Sequence, residues 1–81
     1  MALEIKDLIA EIAMQLVDRP EDVRVEEIQG EQAHVLELKV AKSDVGKIIG
    51  RNGSHAQAIR TILMAASGKY KKRFTLEILD Q

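Results

Sequence analysis

The sequence predicts an α+β fold with the order helix, strand, strand, helix, helix, strand, and three observations predict it. Apolar residues near the N-terminus recur every three or four positions. Two later stretches alternate apolar and polar side chains, and a glycine pair interrupts a helical region between them. No repeat, linker or low-complexity segment breaks the pattern, so the chain reads as one α+β layer pair.

Each element has a local reason. Residues 2–17 are helical by period, with Ile5, Leu8, Ile9, Ile12 and Leu16 on one stripe. Asp18-Arg19-Pro20 ends that helix, because proline cannot continue the hydrogen-bond ladder and disfavours helical geometry in its predecessor. Val23 to Glu26 alternates as a strand; Ile28 falls out of phase, which predicts a bulge near Glu27. Gln29-Gly30-Glu31-Gln32 is a turn. In the strand Ala33 to Val40 that follows, His34, Leu36, Leu38 and Val40 share one face and Val35, Glu37 and Lys39 the other. The short loop predicts an antiparallel hairpin. Lys42 to Ile49 reads as a short helix, with Ser43 as N-cap and Asp44 at its positive end. Gly50 to Gly53 breaks it. A longer helix from Ser54 to Ser67 carries Ala56, Ile59, Ile62, Leu63 and Ala66 on one stripe and stops at Gly68. The strand Arg73 to Leu79 places Phe74, Leu76 and Ile78 on one face.

Length and composition exclude several function classes. At 81 residues the chain predicts a single domain over 1–81, too small for a deep cofactor cradle. It has no cysteine, so disulfides, thiolate metal sites and cysteine nucleophiles are out. No apolar run approaches the ~18 residues of a membrane span, and the start Met1-Ala2-Leu3-Glu4-Ile5-Lys6-Asp7 lacks a signal layout; a cytoplasmic protein with no membrane partner is expected. The net charge of −1 hides a segregation. Residues 1–38 hold ten acids and three bases, whereas residues 39–76 hold nine bases and one acid, Asp44. Two faces of opposite sign follow, one of them suited to an anionic partner.

The informative stretch runs from Val45 to Ile59. Gly50 and Gly53 bracket Arg51 and Asn52 at a helix-to-helix junction, where glycine permits positive φ and a close backbone approach. The helix that follows directs its free N–H groups and positive dipole end at the loop, which suits a phosphate oxygen. Arg51 offers bidentate phosphate contact and Asn52 a neutral donor and acceptor. On Ile48-Ile49-Gly50-Arg51-Asn52-Gly53, preceded by Gly46-Lys47 and followed by Ile59, the chain resembles the KH domain family of single-stranded nucleic-acid binders. Its leading helix and terminal strand look like the type II arrangement, and a free-standing domain this short looks like the small bacterial KhpA-type RNA-binding proteins.

That resemblance implies a type II KH fold, a three-stranded mixed sheet covered on one side by three helices. It implies that Gly50 to Gly53 clamp the backbone of single-stranded RNA, about four nucleotides per module. Ile48, Ile49 and Ile59 would floor an aliphatic groove, with the strand Ala33 to Val40 as its far wall. Lys47 and Arg51 would touch phosphate, Ser54, His55 and Arg60 would lie at the groove, and Ala56 stands where a larger aliphatic is common in the family. The implied role is a bacterial post-transcriptional regulator or RNA chaperone linked to cell elongation or division. The implied protein partners are a second copy, a Jag/KhpB-type KH-containing protein, or both. An alternative is a KH-fold interaction module that works mainly by dimerising or recruiting.

Rival readings fare less well. Gly46, Gly50 and Gly53 are spaced G-x-x-x-G-x-x-G, unlike the dinucleotide fingerprint, and no G-K-[ST] follows. Neither a catalytic triad nor a carboxylate pair can be assembled, so no enzyme, cofactor or metal is expected. His34, far from any second histidine at ligand spacing, reads as structural, and Asp44 as a helix-start charge. Phe74 reads as core, Met64 as a partly exposed surface methionine with a dimer contact as the alternative, and the basic run Lys69 to Arg73 as a solvated turn.

Overall fold

The computed structural model describes residues 4–81 and has the expected order: α1 (Ile5–Leu16), β1 (Arg24–Gln29), β2 (Ala33–Val40), α2 (Val45–Ile49), α3 (Ser54–Tyr70) and β3 (Arg73–Asp80). Short 3₁₀ turns cover Pro20–Asp22, Lys42–Asp44 and Arg51–Gly53. Ala2 and Leu3, the first residues of the expected helix, lie outside the described residues.

The sheet is mixed and three-stranded, in the order β1-β2-β3, with β1 antiparallel and β3 parallel to the central β2. The pairing of β1 with β2 is unbroken from Arg24↔Lys39 to Gln29↔His34, so the expected bulge near Glu27 is absent. Ile28 is out of phase because it points to the uncovered side of the sheet, opposite Val35, and stays exposed. The turn between the strands closes with the Gly30 amide on the Ala33 carbonyl at 2.9 Å.

Alternation places Leu36, Leu38 and Val40 of β2 and Leu76 of β3 against the helices. There they meet Ile9 and Ala13 of α1, Ile48 of α2, and Ile59 and Leu63 of α3, all buried. Burying each large aliphatic contributes roughly 1.5–3 kcal/mol. In α1 the buried stripe is narrower than the period suggested: Leu8 sits on its margin, exposed. His34 is structural, as expected, with its Nδ1 2.7 Å from Glu27 Oε2 and its ring edge-on to Phe74 at 5.7 Å. Phe74 is only half-buried.

Three boundaries differ from expectation for identifiable reasons. Ser43 caps nothing: the chain enters α2 through the 3₁₀ turn, and no side chain caps either helical start. The helix α3 passes through Gly68 to Tyr70 and ends with Lys71 in the left-handed region, φ 55°. Beside this extension the Ser67 hydroxyl donates to the Leu63 carbonyl at 2.8 Å and accepts the Phe74 amide at 3.0 Å, which fixes the start of β3. Finally, Asp44 is more than a helix-start charge. It is 1% exposed, and its two oxygens accept the amides of Asp18 and Arg19 at 3.2 and 3.0 Å, with the Lys47 ammonium 3.8 Å away.

Asp44 therefore ties the end of α1 to the start of α2. Hydrogen bonds to a charged acceptor are worth about 1.5–3 kcal/mol. Asp44→Ala is expected to lower the unfolding free energy by about 2–3 kcal/mol and the Tm by roughly 10–20 °C. Asp44→Asn, which keeps one acceptor oxygen, should lose less. Chemical and thermal denaturation check both.

Candidate nucleic-acid interface

The loop between α2 and α3 is built from unusual backbone conformations. Gly50 sits at φ 77°, ψ 172°, a region open essentially to glycine alone. Asn52 at φ 57° and Gly53 at φ 75° are both left-handed, and asparagine tolerates that region better than most residues. The requirement at Gly50 is steric as well. A Cβ there would lie 2.5 Å from Cγ of His55, whose ring packs beneath the loop. At Gly53 an added Cβ meets nothing within 4 Å.

His55 holds the loop closed. Its Nδ1 lies 2.8 Å from the Lys47 carbonyl; because a carbonyl only accepts, Nδ1 carries the proton and Nε2 is left for another partner. The Gly50 amide donates to the Gly46 carbonyl at 2.9 Å and the Gly53 amide to the Gly50 carbonyl at 3.1 Å. The Ser54 amide turns onto the Arg51 carbonyl. Two amides expected to point freely at a phosphate, those of Gly53 and Ser54, are thus used inside the 3₁₀ turn. What the loop presents outward is the exposed pair Arg51 and Asn52, backed by the positive end of a 17-residue helix. Arg51 forms no ion pair among the described residues.

Beside the loop lies an open groove of about 620 Å³, reached by Asn52, Gly53 and Ser54 and continuing past Arg60. Its apolar surface comes from Ile49, Ala56 and Ile78. Two expectations are corrected here. Ile48 and Ile59 are 0% and 2% exposed, so they support the groove from the core; of the three isoleucines Ile49 alone, 39% exposed, lines it, beside Ala56 and Ile78. Adjacent helical residues point in different directions, and Ile48 is the one turned toward the sheet. The far wall is β3, through Ile78, and not the strand Ala33 to Val40, because β2 is the middle strand and β3 the edge beside α2 and α3.

Lys47 also departs from its expected role. Its ammonium lies 3.1 Å from Asp18 and 3.8 Å from Asp44, so it faces the α1 end. Arg60, by contrast, opens onto the groove. Neither Asp44 nor Ile78 was recognised from sequence as part of this region. The signal for Ile78 was its place on the inner face of what becomes the edge strand.

The profile of the KhpA/KhpB KH domain matches residues 6–78. RNA-binding protein KhpA of Clostridium perfringens is 50% identical over 74 residues, 91% of this chain and 99% of that one. The protein of the same name from Caldanaerobacter subterraneus is 52% identical over 73 residues, 90% and 97% of the two chains. That of Chlamydia pneumoniae is 46% identical over 76 residues, 94% and 97%. A crystal structure of Era in complex with MgGDPNP and nucleotides 1506–1542 of 16S ribosomal RNA superposes with a TM-score of 0.62 at 19% identity. It covers 94% of this chain and 29% of that longer one, a likeness of fold.

The two glycines should differ sharply in tolerance. Gly53→Ala meets no atom and carries only a left-handed penalty of about 1–2 kcal/mol. Gly50→Ala adds a collision with the His55 ring and should cost more than 3 kcal/mol, about the upper end of single-residue backbone strain. Denaturation of the two variants side by side checks the order.

Proposed function

The chain belongs to the KhpA/KhpB family of KH domains, and from that membership and its loop geometry we propose that it binds short single-stranded RNA at the Gly50–Gly53 loop. The observation that carries this reading is the pairing of an exposed Arg51–Asn52 tip with a groove floored by Ile49, Ala56 and Ile78. Phosphates meet the guanidinium, the Asn52 amide and the start of α3, while bases lie against the aliphatic surface. Affinity then comes mainly from backbone contacts, with modest base preference. Arg51, Asn52 and Arg60 are the direct contacts in this reading; His55 and Lys47 act by holding the loop and α2 in place. The relatives named RNA-binding protein KhpA support the ligand class. A place in post-transcriptional regulation belongs to the same proposal.

A protein partner, either a second copy or a KhpB-type chain, is the second reading, and the uncovered sheet face favours it. Glu26, Glu37 and Glu77 stand side by side across the three strands on that face, with Ile28 and Val35 in the next row. Such a surface repels RNA and suits a partner that brings cations. The two readings are compatible, because the sheet face and the loop lie on different sides of the molecule.

Changing Arg51 and Asn52 together to aspartate should abolish retardation of a short RNA while leaving the circular dichroism spectrum unchanged; undiminished binding by the folded variant would overturn the loop assignment. With about three phosphates neutralised, log affinity should fall with log salt at a slope near −2, from ~−0.7 per phosphate on single strands. A flat dependence would point to the protein-partner reading.

A further inference from the structure

The pole of the molecule opposite the glycine loop holds a cavity that RNA binding at the loop does not use. It occupies about 300 Å³, and its lining includes Glu4 before α1, Glu27 and Gln29 of β1, and Tyr70, Lys72 and Phe74 where α3 passes into β3. Tyr70 closes the 17-residue helix whose first turn adjoins the loop, about 24 Å away at 1.5 Å per residue. The chain has one tyrosine, one phenylalanine and no tryptophan, and both aromatic rings stand here. Their planes meet at 90° with centroids 6.3 Å apart, and Tyr70 is 48% exposed.

Glu27 is oriented by His34. Its Oε2 lies 2.7 Å from His34 Nδ1; since a carboxylate only accepts, that nitrogen carries the proton and Oε1 is left for a further donor. Groups of the opposite charge adjoin it. Lys72 lines the cavity, Lys69 places its ammonium 5.3 Å from the Tyr70 ring centroid, and Lys71 lies between them in sequence. None of these three lysines joins an ion pair among the described residues. A purely cationic guest would meet the lysines, and a purely anionic one the carboxylates of Glu4 and Glu27. The mixed lining suits a flat molecule with hydrogen-bond donors at one end and negative charge at the other.

We propose that this cavity binds a free guanine nucleotide. The base packs on Tyr70 and Phe74. Guanine alone among the common bases presents two adjacent donors, N1–H and N2–H, and these donate to Glu27, while its phosphates meet Lys72 and the neighbouring lysines. Adenine offers an amino group beside an acceptor nitrogen on the same edge, and that nitrogen opposes the carboxylate. A continuous RNA strand fits less well, because its phosphates would have to pass Glu4 and Glu27; a single nucleotide carries its charge only at the lysine end.

The test titrates the full chain with GTP, ATP, inosine triphosphate and guanosine. Calorimetry gives the affinities, and the ring signals of Tyr70 and Phe74, each the sole residue of its type, give the location. GTP should shift both rings and bind at least tenfold more tightly than ATP. Inosine triphosphate, which lacks the 2-amino group, should lose at least threefold, and guanosine, which lacks phosphates, at least fivefold. Glu27→Gln sets an amide donor against the donor edge and should bring GTP within twofold of ATP. Lys72→Ala should weaken both nucleotides about equally. Both variants should retard short RNA within twofold of the parent, since neither residue adjoins the loop.

Equal affinity for GTP and ATP in the parent would overturn the site in favour of plain charge attraction, and shifts confined to the loop amides would overturn it in favour of phosphate capture there. So would undiminished binding of inosine triphosphate, an outcome read on the parent chain whether or not a variant folds. Ring shifts with a guanine-containing RNA and none with GTP would replace the mononucleotide by the polymer. Failure of the parent to retard RNA would remove the loop reading and leave this site standing.

Discussion

The parallel pairing of β2 with β3 is the constraint on which the molecule depends. Two parallel neighbours cannot be joined by a tight turn, so residues 41–72 must leave one end of the sheet and return to the other. A single crossover helix is the usual solution. The chain instead makes a short helix, a sharp reversal and a long helix, and Ile48, Ile59 and Leu63 are buried as a result. The loop at Gly50–Gly53 is thus an addition to the crossover that the connection alone does not require. Its exposure at the surface, with two polar side chains at its tip, follows from where that reversal has to occur.

Charge is distributed to match. Of the nine cations in residues 39–76, Arg51, Arg60 and Arg73 follow the α3–β3 seam and Lys69, Lys71 and Lys72 crowd the turn that leads into β3, while Lys39 pairs with Glu26, Lys47 with Asp18 and Asp44, and Lys42 lies in the turn before α2. Glu26, Glu37 and Glu77 cross the open sheet face, where Lys39 offsets part of their charge by pairing with Glu26 at 3.6 Å. Like charges placed directly across strands are mildly destabilising, so the glutamate row gives the molecule an electrostatic direction at some cost in stability. An anionic strand approaching at random is turned away from the sheet and toward the seam. Lys47 shows that position in the sequence does not determine which population a cation joins. It neighbours the loop along the chain, yet pairs with Asp18 and Asp44 behind it.

Much of the fold was legible because one face of the sheet is buried. Period-two alternation in β2 and β3 and period-three-and-four spacing in α1 are direct imprints of that burial. What misled was residues answering to something nonlocal. Ile28 suggests a bulge only if an apolar residue must face inward, and here it faces the open side. Gly68 suggests a helix end, and the helix instead runs on to Tyr70 and stops where Lys71 takes the left-handed conformation. The site divided in the same way: the glycine loop and its polar tip were visible as a motif, whereas the groove wall depended on strand order, which no local pattern encodes. The burial of Asp44 was hidden for a similar reason, since its partners are the amides of Asp18 and Arg19, far away in sequence.

The end of α3 has a practical consequence. Lys69, Lys71, Lys72 and Arg73 surround a left-handed turn that is exposed throughout, and exposed tips of this kind are where proteases first cut a folded chain. A trypsin-type nick there would cut the covalent link between α3 and β3, the two banks of the seam, leaving β3 held by its pairing with β2. Susceptibility of this joint to limited digestion is therefore an internal reporter of whether the seam is filled, legible on a gel without any label.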